Sequence, residues 1–205
     1  MSGQGFSKYD RVETFQSVYC YSDSEVLINI PDIRDQEILN AFEEEVTRIR
    51  QMMIEEEATV TGRFSTSHLL NIHKYIFQDV YPFAGKFRTE DIHKGNTMFC
   101  KSEFIAESLK KLLFGLKEEK FLKGLSREVF VQRIAYYFIE LNMIHPFREG
   151  NGRAIRMFIR QLSVKCKLEI DWTVLNKDEL LKAMIAGVDR EYEPLEACIH
   201  KAIIE

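Results

Sequence analysis

The sequence predicts an all-α protein, a helical bundle that carries one small β-hairpin. Apolar residues recur at spacings of three and four through most of the chain, which is the period of an amphipathic helix. Residues 86–99 lack this period and centre on a Gly-Asn pair, a turn signal between two short strands. The chain has 205 residues, of which 45% are hydrophobic, and this suffices for one domain with a single core.

The N-terminal part, residues 1–36, shows no sustained period. It is predicted to be an irregular extension that packs on the core. Its aromatic residues Phe15, Tyr19 and Tyr21 are candidates to cover the core or to form an interface. Residues 37–205 are predicted to form the domain itself.

Apolar stripes and capping residues predict seven helices. In chain order they lie at about residues 35–57, 66–80, 103–116, 126–143, 151–166, 177–187 and 194–204. The helix at 126–143 is apolar on most faces, since Phe130 and Phe138 share one stripe while Ile139 lies on the other side. Such a helix belongs in the centre of a bundle. The acidic run Glu43–Glu45 in the first helix is interpreted as a solvated face.

Composition and charge disfavour several classes of protein. The net charge of −4, without a block of Lys or Arg, argues against nucleic-acid binding. No apolar run approaches the roughly 18 residues of a membrane helix, and the polar N-terminus lacks the hydrophobic segment of a signal peptide. A cytoplasmic protein that does not bind membranes is therefore predicted, and delivery into another cell is kept as an alternative. The four cysteines lie far apart, and His68 and His73 face different sides of a helix, so neither set predicts a metal site.

The segment between the two central helices, residues 145–153, combines several groups that suit chemistry. Pro146 biases His145 away from helical geometry, so the helix ends there and leaves an imidazole at the mouth of a loop. Gly150 and Gly152 permit close approach to the backbone. The next helix begins at once, and its unpaired N–H groups and positive dipole end can bind an anion.

Charged side chains complete this segment. Arg153 and Arg156 are three residues apart and occupy neighbouring positions on the helix, which suits more than one phosphate group. Glu149 supplies a hard oxygen ligand of the type that Mg²⁺ uses beside phosphates. Each feature alone has a structural explanation, and Phe147 is interpreted as a core anchor. The combination indicates nucleotidyl or phosphoryl transfer.

The run HPFREGNGR resembles the HPFx(D/E)GN(G/K)R signature of Fic-domain proteins at all eight specified positions, and Arg156 matches a second arginine that is common in the family. YPFAGKFR and IHKGNTMF are similar to the family's approach to its active-site flap. The resemblance covers roughly residues 65–175. It implies a Fic-type helical bundle in which a small β-hairpin flap lies over the active site.

The resemblance also implies an activity and a role for each motif residue. Fic-domain proteins transfer AMP from ATP to a Ser, Thr or Tyr hydroxyl of a target protein. His145 would be the general base and Glu149 would hold Mg²⁺. The phosphate-binding residues would be Gly150, Asn151, Gly152, Arg153 and Arg156. The target-docking flap would comprise Lys94, Gly95, Asn96, Thr97, Met98 and Phe99.

Alternatives within the family and outside it are kept. A kinase branch carries Lys where this chain has Gly152, and a phosphocholine-transferring relative exists, so both reactions are alternatives to AMP transfer. A non-catalytic nucleotide-binding docking module is a further alternative. No Ser or Thr in the chain has an acidic residue four positions later, so the inhibitory motif (S/T)xxxE(G/N) is absent. The chain thus resembles the toxin-like class that a separate antitoxin protein inhibits. An unrestrained enzyme and control by a divergent inhibitory element are kept as alternatives, and self-modification stays open.

Overall fold

The computed structural model describes residues 10–11 and 16–204. Within these ranges the main elements are seven α-helices and three short strands. The helices are α1 (Gln36–Glu57), α2 (Thr66–Phe77), α3 (Ile105–Glu118), α4 (Arg127–Ile144), α5 (Asn151–Lys165), α6 (Lys177–Val188) and α7 (Glu193–Ala202). The strands are β1 (Asp10–Arg11), β2 (Ile92–Lys94) and β3 (Thr97–Met98). The predicted all-α bundle with one hairpin is confirmed.

Local side-chain caps explain where several helices begin. The Asp35 carboxylate accepts hydrogen bonds from the backbone N–H groups of Glu37 and Ile38, both at 2.9 Å, and so fixes the start of α1. The Ser126 hydroxyl accepts from the N–H of Val129 at the start of α4. These caps satisfy N–H groups that have no partner inside the helix.

Helix α4 lies at the centre of the bundle, as its sequence predicts. It contacts α3, α5, α6 and α7. Its buried residues are Phe130, Val131, Ile134, Ala135, Tyr137, Phe138, Ile139, Leu141 and Ile144. Because its neighbours hold α4 on several sides, the C-terminal end of this helix is a fixed point in the molecule. The predicted catalytic loop starts at that end.

The hairpin is confirmed, but the sheet is larger than predicted. Strands β2 and β3 pair antiparallel, with His93 opposite Met98 and Lys94 opposite Thr97. Strand β1 adds to the other side of β2, so the sheet order is β1-β2-β3. The prediction that residues 1–36 are irregular is therefore wrong at β1. A two-residue strand carries no periodic signal, and its pairing is decided by the strand beside it.

Residues 17–19 lie against the base of the hairpin. Both the Ser17 hydroxyl and the backbone N–H of Val18 donate to the Glu90 carboxylate at 2.8 Å. The Tyr19 hydroxyl accepts from the N–H of Thr89 at 2.9 Å, and its ring packs edge-on against Phe83. Phe15 lies outside the described residues, and the division between 1–36 and 37–205 stays a prediction. No helix in the described ranges is long and apolar enough to cross a membrane.

Candidate active site

The loop between α4 and α5 begins with a left-handed residue. The N–H of His145 still donates to the Leu141 carbonyl at 3.1 Å, yet His145 itself has φ 45° and ψ 62°. This region is uncommon for residues other than glycine. Pro146 follows, so the helix ends where the sequence predicts.

The side chain of His145 is buried and held in one orientation. Its Nδ1 donates to the Asn142 carbonyl at 2.8 Å, so the lone pair of the neutral ring is on Nε2. The Phe99 ring stacks on the imidazole with centroids 3.9 Å apart and planes 21° apart. Burial, together with the positive charges of Arg88 and Lys94, lowers the pKa of His145 to about 3. The imidazole is thus neutral at pH 7, which is the state a general base requires.

Asn151, the first residue of α5, shapes the loop from within. Its amide oxygen accepts from the N–H of Phe147 at 2.8 Å, and its amide nitrogen donates to the carbonyl of the same residue at 2.7 Å. The side chains of Asn151 and Phe147 are both fully buried. The interpretation of Phe147 as a core anchor agrees with this burial, whereas direct contact of Asn151 with phosphate stays a prediction.

The two glycines of the loop differ in what surrounds them. Gly150 has φ 79°, and a Cβ there would lie 2.1 Å from the Phe77 ring. A Cβ on Gly152 would lie 3.1 Å from the Arg156 guanidinium, so Arg156 lies over the first turn of α5. Gly150 therefore permits the loop to close onto α2, and Gly152 leaves its backbone accessible beside an arginine.

Glu149 is a buried carboxylate with one unsatisfied oxygen. Its Oε1 accepts from the N–H of Gly150 at 2.8 Å, while Oε2 is buried and accepts no hydrogen bond from the described residues. Burial and then the charge of Glu43 raise the pKa of Glu149 well above its ordinary value. Lys94 of β2 is close enough for the Glu149 charge to affect its pKa, which burial lowers. An orphaned oxygen in this position fits a cation ligand.

Other side chains do not complete a metal site by themselves. The part of the chain that the structure describes contains no cluster of three or more His, Cys, Asp or Glu side chains suited to a metal ion. Mg²⁺ commonly takes one or two carboxylates and completes its shell with water and phosphate oxygens. The single carboxylate Glu149 fits that mode of binding.

The side chain of Arg153 points into the protein and contacts α1. Its Nη2 lies 2.5 Å from Glu43 Oε1 and 3.6 Å from Glu149 Oε1, and its Nη1 donates to the Thr47 hydroxyl at 3.0 Å. The guanidinium also lies over the Phe77 ring. Arg153 thus links α1 to the loop, and contact of Arg153 and Arg156 with phosphate stays a prediction.

Glu43 is a site residue that the sequence analysis missed. The acidic run predicts a solvated face for Glu43, and this prediction is wrong, because Glu43 is only 8% exposed. It binds Arg153, and it also accepts a hydrogen bond from the Tyr81 hydroxyl. The buried residues Leu39, Glu43 and Thr47 follow one another at intervals of four. That spacing is the signal that could have placed Glu43 on the inner face of α1.

His73 is a second missed residue, and it supports Glu149 through the backbone. Its Nδ1 accepts from the N–H of Gly85 at 2.9 Å, so Nε2 carries the proton and donates to the Glu149 carbonyl at 2.9 Å. The ring stacks on Phe147 with centroids 3.7 Å apart. Burial lowers the pKa of His73 to about 3. Its position four residues from both Leu69 and Phe77, on the apolar face of α2, is the signal for its burial.

The predicted flap residues occupy the hairpin and its far end. Lys94 and Thr97 are paired in the sheet, and Gly95, with φ 54°, lies in the turn between them. Met98 is 52% exposed, whereas Phe99 turns inward onto His145. The flap is therefore exposed along its tip and fixed at its end.

Known proteins are similar to this chain in sequence and in fold. Residues 63–163 match the Fic/DOC family. A protein named "Probable protein adenylyltransferase Fic" from Escherichia coli K12 is 33% identical over 187 residues, which cover 91% of this chain and 92% of that protein. The chain belongs to the Fic/DOC family.

This Fic/DOC chain is also similar to part of a longer protein and to a solved Fic domain. "Protein adenylyltransferase VbhT" from Bartonella schoenbuchensis is 36% identical over 187 residues, which cover 90% of this chain and 39% of that protein. The N-terminal Fic domain of a VirB-translocated Bep effector protein from Bartonella quintana was solved with bound ADP. It superposes with a TM-score of 0.84 at 28% identity, covering 90% of this chain and 93% of that one. The predicted Fic-type fold is confirmed.

Proposed function

We propose that this Fic/DOC chain is a protein adenylyltransferase, which transfers AMP from ATP to a Ser, Thr or Tyr hydroxyl of a target protein. One observation carries the proposal. The α4–α5 loop holds a neutral, oriented imidazole and an unsatisfied buried carboxylate directly before a helix N-terminus. The names of two similar proteins, and the ADP in a similar Fic domain, support the same reaction.

His145 is the proposed general base. Nδ1 is committed to the Asn142 carbonyl, so Nε2 takes the proton from the target hydroxyl. The hydroxyl oxygen forms a bond to the α-phosphorus of ATP, and the bond from that phosphorus to the bridging oxygen breaks. Pyrophosphate leaves, AMP stays on the protein as a phosphoester, and the proton stays on the imidazolium.

The start of α5 is the proposed phosphate site. The backbone N–H groups around Gly150, Asn151 and Gly152 lie at the positive end of the helix dipole. Both features favour the binding of phosphate oxygens. Arg156 lies over this turn and is the arginine that we assign to the outer phosphates. Arg153 binds Glu43 of α1, so we assign it first to holding the loop on α1, and its contact with the outer phosphates stays a prediction.

Glu149 is the proposed ligand of Mg²⁺. The cation would satisfy Oε2, which accepts no hydrogen bond from the described residues, and would offset the unfavourable burial of the ionised carboxylate. When bound beside ATP, Mg²⁺ supplies Lewis-acid stabilisation of negative charge on the phosphate oxygens. Because the Glu149 side chain is buried and held in place, it would fix the position of the cation that neutralises the phosphate charge.

The remaining partner assignments are also proposals. Residues 94–99 of the hairpin would dock an extended target segment as an added strand, a mode in which backbone hydrogen bonds give affinity. The missing (S/T)xxxE(G/N) motif supports inhibition by a separate antitoxin protein. Four free cysteines support a reducing compartment, the cytoplasm.

Substitution of the base tests the proposal. His145→Ala should lower AMP incorporation by about 10²- to 10⁴-fold, because general-base catalysis contributes that much, while ADP binding and the fold persist. The assay measures transfer of label from α-labelled ATP to proteins of a clarified bacterial lysate. His200→Ala on α7 is the matched control, since His200 is exposed, and its rate should stay unchanged.

The other outcomes separate the alternatives. Unchanged labelling by His145→Ala would remove His145 from its role. Label from the γ-phosphate instead of the α-phosphate would make the chain a kinase, and label from CDP-choline would make it a phosphocholine transferase. Tight ADP binding without any transfer would identify a docking module.

A further inference from the structure

Arg88 is a buried cation that the proposed mechanism has not used. It lies between Gly85 and the hairpin and is only 1% exposed. Burying an unpaired charge is costly, so buried cations are found where their donors are satisfied. The partners of Arg88 are backbone carbonyls from three separate segments, and these partners indicate what the residue does.

The first set of partners is the end of α4. Arg88 Nε donates to the His145 carbonyl at 2.8 Å, and Nη2 donates to the Ile144 carbonyl at 3.4 Å. The backbone N–H of Arg88 donates to the Pro146 carbonyl at 2.9 Å. The last carbonyls of a helix lack partners within it and carry the negative end of its dipole. Arg88 therefore fixes the backbone of the left-handed residue His145.

The second and third sets are the two ends of the hairpin. Nη1 donates to the Glu90 carbonyl at 2.6 Å, just before β2, and Nη2 donates to the Cys100 carbonyl, just after β3. The N–H of Cys100 in turn donates to the Met143 carbonyl of α4 at 2.9 Å. One guanidinium thus joins both ends of the hairpin to the end of α4.

This arrangement requires an arginine. The guanidinium presents five N–H donors in a rigid planar fork, whereas a lysine ammonium has three donors at one point and cannot span the same carbonyls. Asp91 Oδ1 lies 3.9 Å from Nη1 and supplies negative charge beside the cation. Burial lowers the pKa of Arg88, but a guanidinium remains charged at pH 7.

We propose that Arg88 is a positioning residue that sets the distance between the hairpin, on which the target segment docks, and the imidazole of His145. The inference rests on the proposed function. Phe99, one residue before Cys100, stacks on the imidazole of His145. This contact also fixes the position of the hairpin relative to the side chain of the base. In-line transfer needs the hydroxyl within about 3–3.5 Å of the phosphorus, and a 1 Å error costs about 10²-fold in rate.

Arg88→Lys is the test, measured with α-labelled ATP and proteins of a clarified bacterial lysate as acceptors. The maximal rate should fall by about 10- to 100-fold, because the hairpin loses its registration. The KM for ATP and the calorimetric Kd for ADP should change by less than about twofold, because the phosphate-binding turn of α5 is untouched. A purely structural role would instead lower the number of ADP sites per chain in proportion to the rate.

Arg133→Lys is the matched control. Arg133 lies on α4 about 18 Å along the helix from His145, where its guanidinium binds the Glu119 carboxylate. Loss of this two-point contact with the Glu119 carboxylate should leave the maximal rate unchanged. Phe99→Leu is the second variant, which removes the stacking on His145 while leaving the bonds of Arg88 in place.

Each outcome decides the inference. If the Arg88→Lys chain folds and keeps the wild-type maximal rate, this inference is overturned, whereas the proposed function is unaffected. If Arg88→Lys does not fold, Phe99→Leu decides: a fall of about tenfold in rate at unchanged ADP affinity supports the inference, and no fall overturns it. If His145→Ala leaves labelling at the wild-type level, the proposed function is overturned and this inference with it. The same holds if the wild-type chain transfers no AMP at all.

Discussion

The α4–α5 loop and the hairpin flank the same site, but they are held in different ways. In the loop, His145, Phe147, Glu149 and Asn151 are all buried, and the polar side chains bond to backbone groups. In the hairpin the turn at Gly95 has open space around it. The loop is preorganised for one geometry, which suits chemistry at phosphorus. The tip of the hairpin is left adaptable, which suits target segments of varied sequence.

The largest expected effect comes from removing the acid that holds the loop on α1. Glu43→Ala leaves Arg153 buried without its main partner, and should lower the free energy of unfolding by about 3–5 kcal/mol. Urea denaturation followed by circular dichroism measures this change. Glu45→Ala on the same helix is the control, because the Glu45–Arg48 pair is exposed and should contribute less than about 1 kcal/mol. Equal losses in the two variants would show that Glu43 does not support the loop.

A methyl group in the loop should have the next largest effect. Gly150→Ala combines a left-handed φ of 79° with a Cβ 2.1 Å from the Phe77 ring, which is itself buried between other rings. The strain and the clash together should cost about 2–4 kcal/mol and abolish ADP binding. Thermal denaturation and calorimetry with ADP measure both effects. Normal ADP affinity in this variant would contradict the preorganised loop.

A pH titration of stability examines the support beneath Glu149. The pKa of His73 is about 3 in the folded chain and 6.5 in the unfolded chain. Between these pH values His73 is therefore protonated in the unfolded chain and neutral in the folded chain. The stability that neutral His73 contributes is present above pH 6.5 and is lost as pH falls toward 3. His73→Gln should therefore reduce the loss of stability between pH 6 and pH 4 by about 1.4 kcal/mol per pH unit.

Urea denaturation at several pH values measures that slope. Besides burial, the positive charge of Arg153 lowers the pKa of His73, and protonation would also convert Nδ1 into a donor and break its bond from the Gly85 N–H. His200→Gln is the control, since His200 is exposed and its removal should leave the slope as in the wild type. A slope that His73→Gln does not change would assign the acid sensitivity to other groups.

The smallest expected effect repeats the glycine substitution in the hairpin. Gly95→Ala meets open space, so only the left-handed φ of 54° is unfavourable, at about 1 kcal/mol. ADP binding should be unchanged, and labelling of lysate proteins by α-labelled ATP should stay within about threefold of the wild type. A loss comparable to that of Gly150→Ala would show that the hairpin turn is as tightly specified as the loop.

The features that the sequence predicted are those with a local pattern. Helical periodicity located the seven helices, Gly95 and Asn96 located the hairpin turn, and the run from His145 to Arg153 located the loop. Each of these signals lies within a few turns of chain. The predicted burial of α4 follows from the same kind of signal, because its apolar residues cover most of its faces.

The missed features depend on partners that are distant in the chain. Arg88 binds carbonyls about sixty positions away, and Glu43 binds Arg153, which is 110 positions away. A backbone carbonyl has no residue type, so the sequence near Arg88 carries no sign of its partners. The strand at residues 10–11 is similar, since pairing with β2 decides it. These long-range polar contacts hold the site in place.

The pairing of β1 with β2 also affects how this sheet can grow. Any hairpin offers two outer edges with unpaired backbone groups, and such edges invite association between chains. Residues 10–11 cover one of them, on the β2 side. Within the described chain, the edge of the hairpin that β1 leaves uncovered is therefore that of β3, so an extended segment that pairs directly with the hairpin would join beside β3.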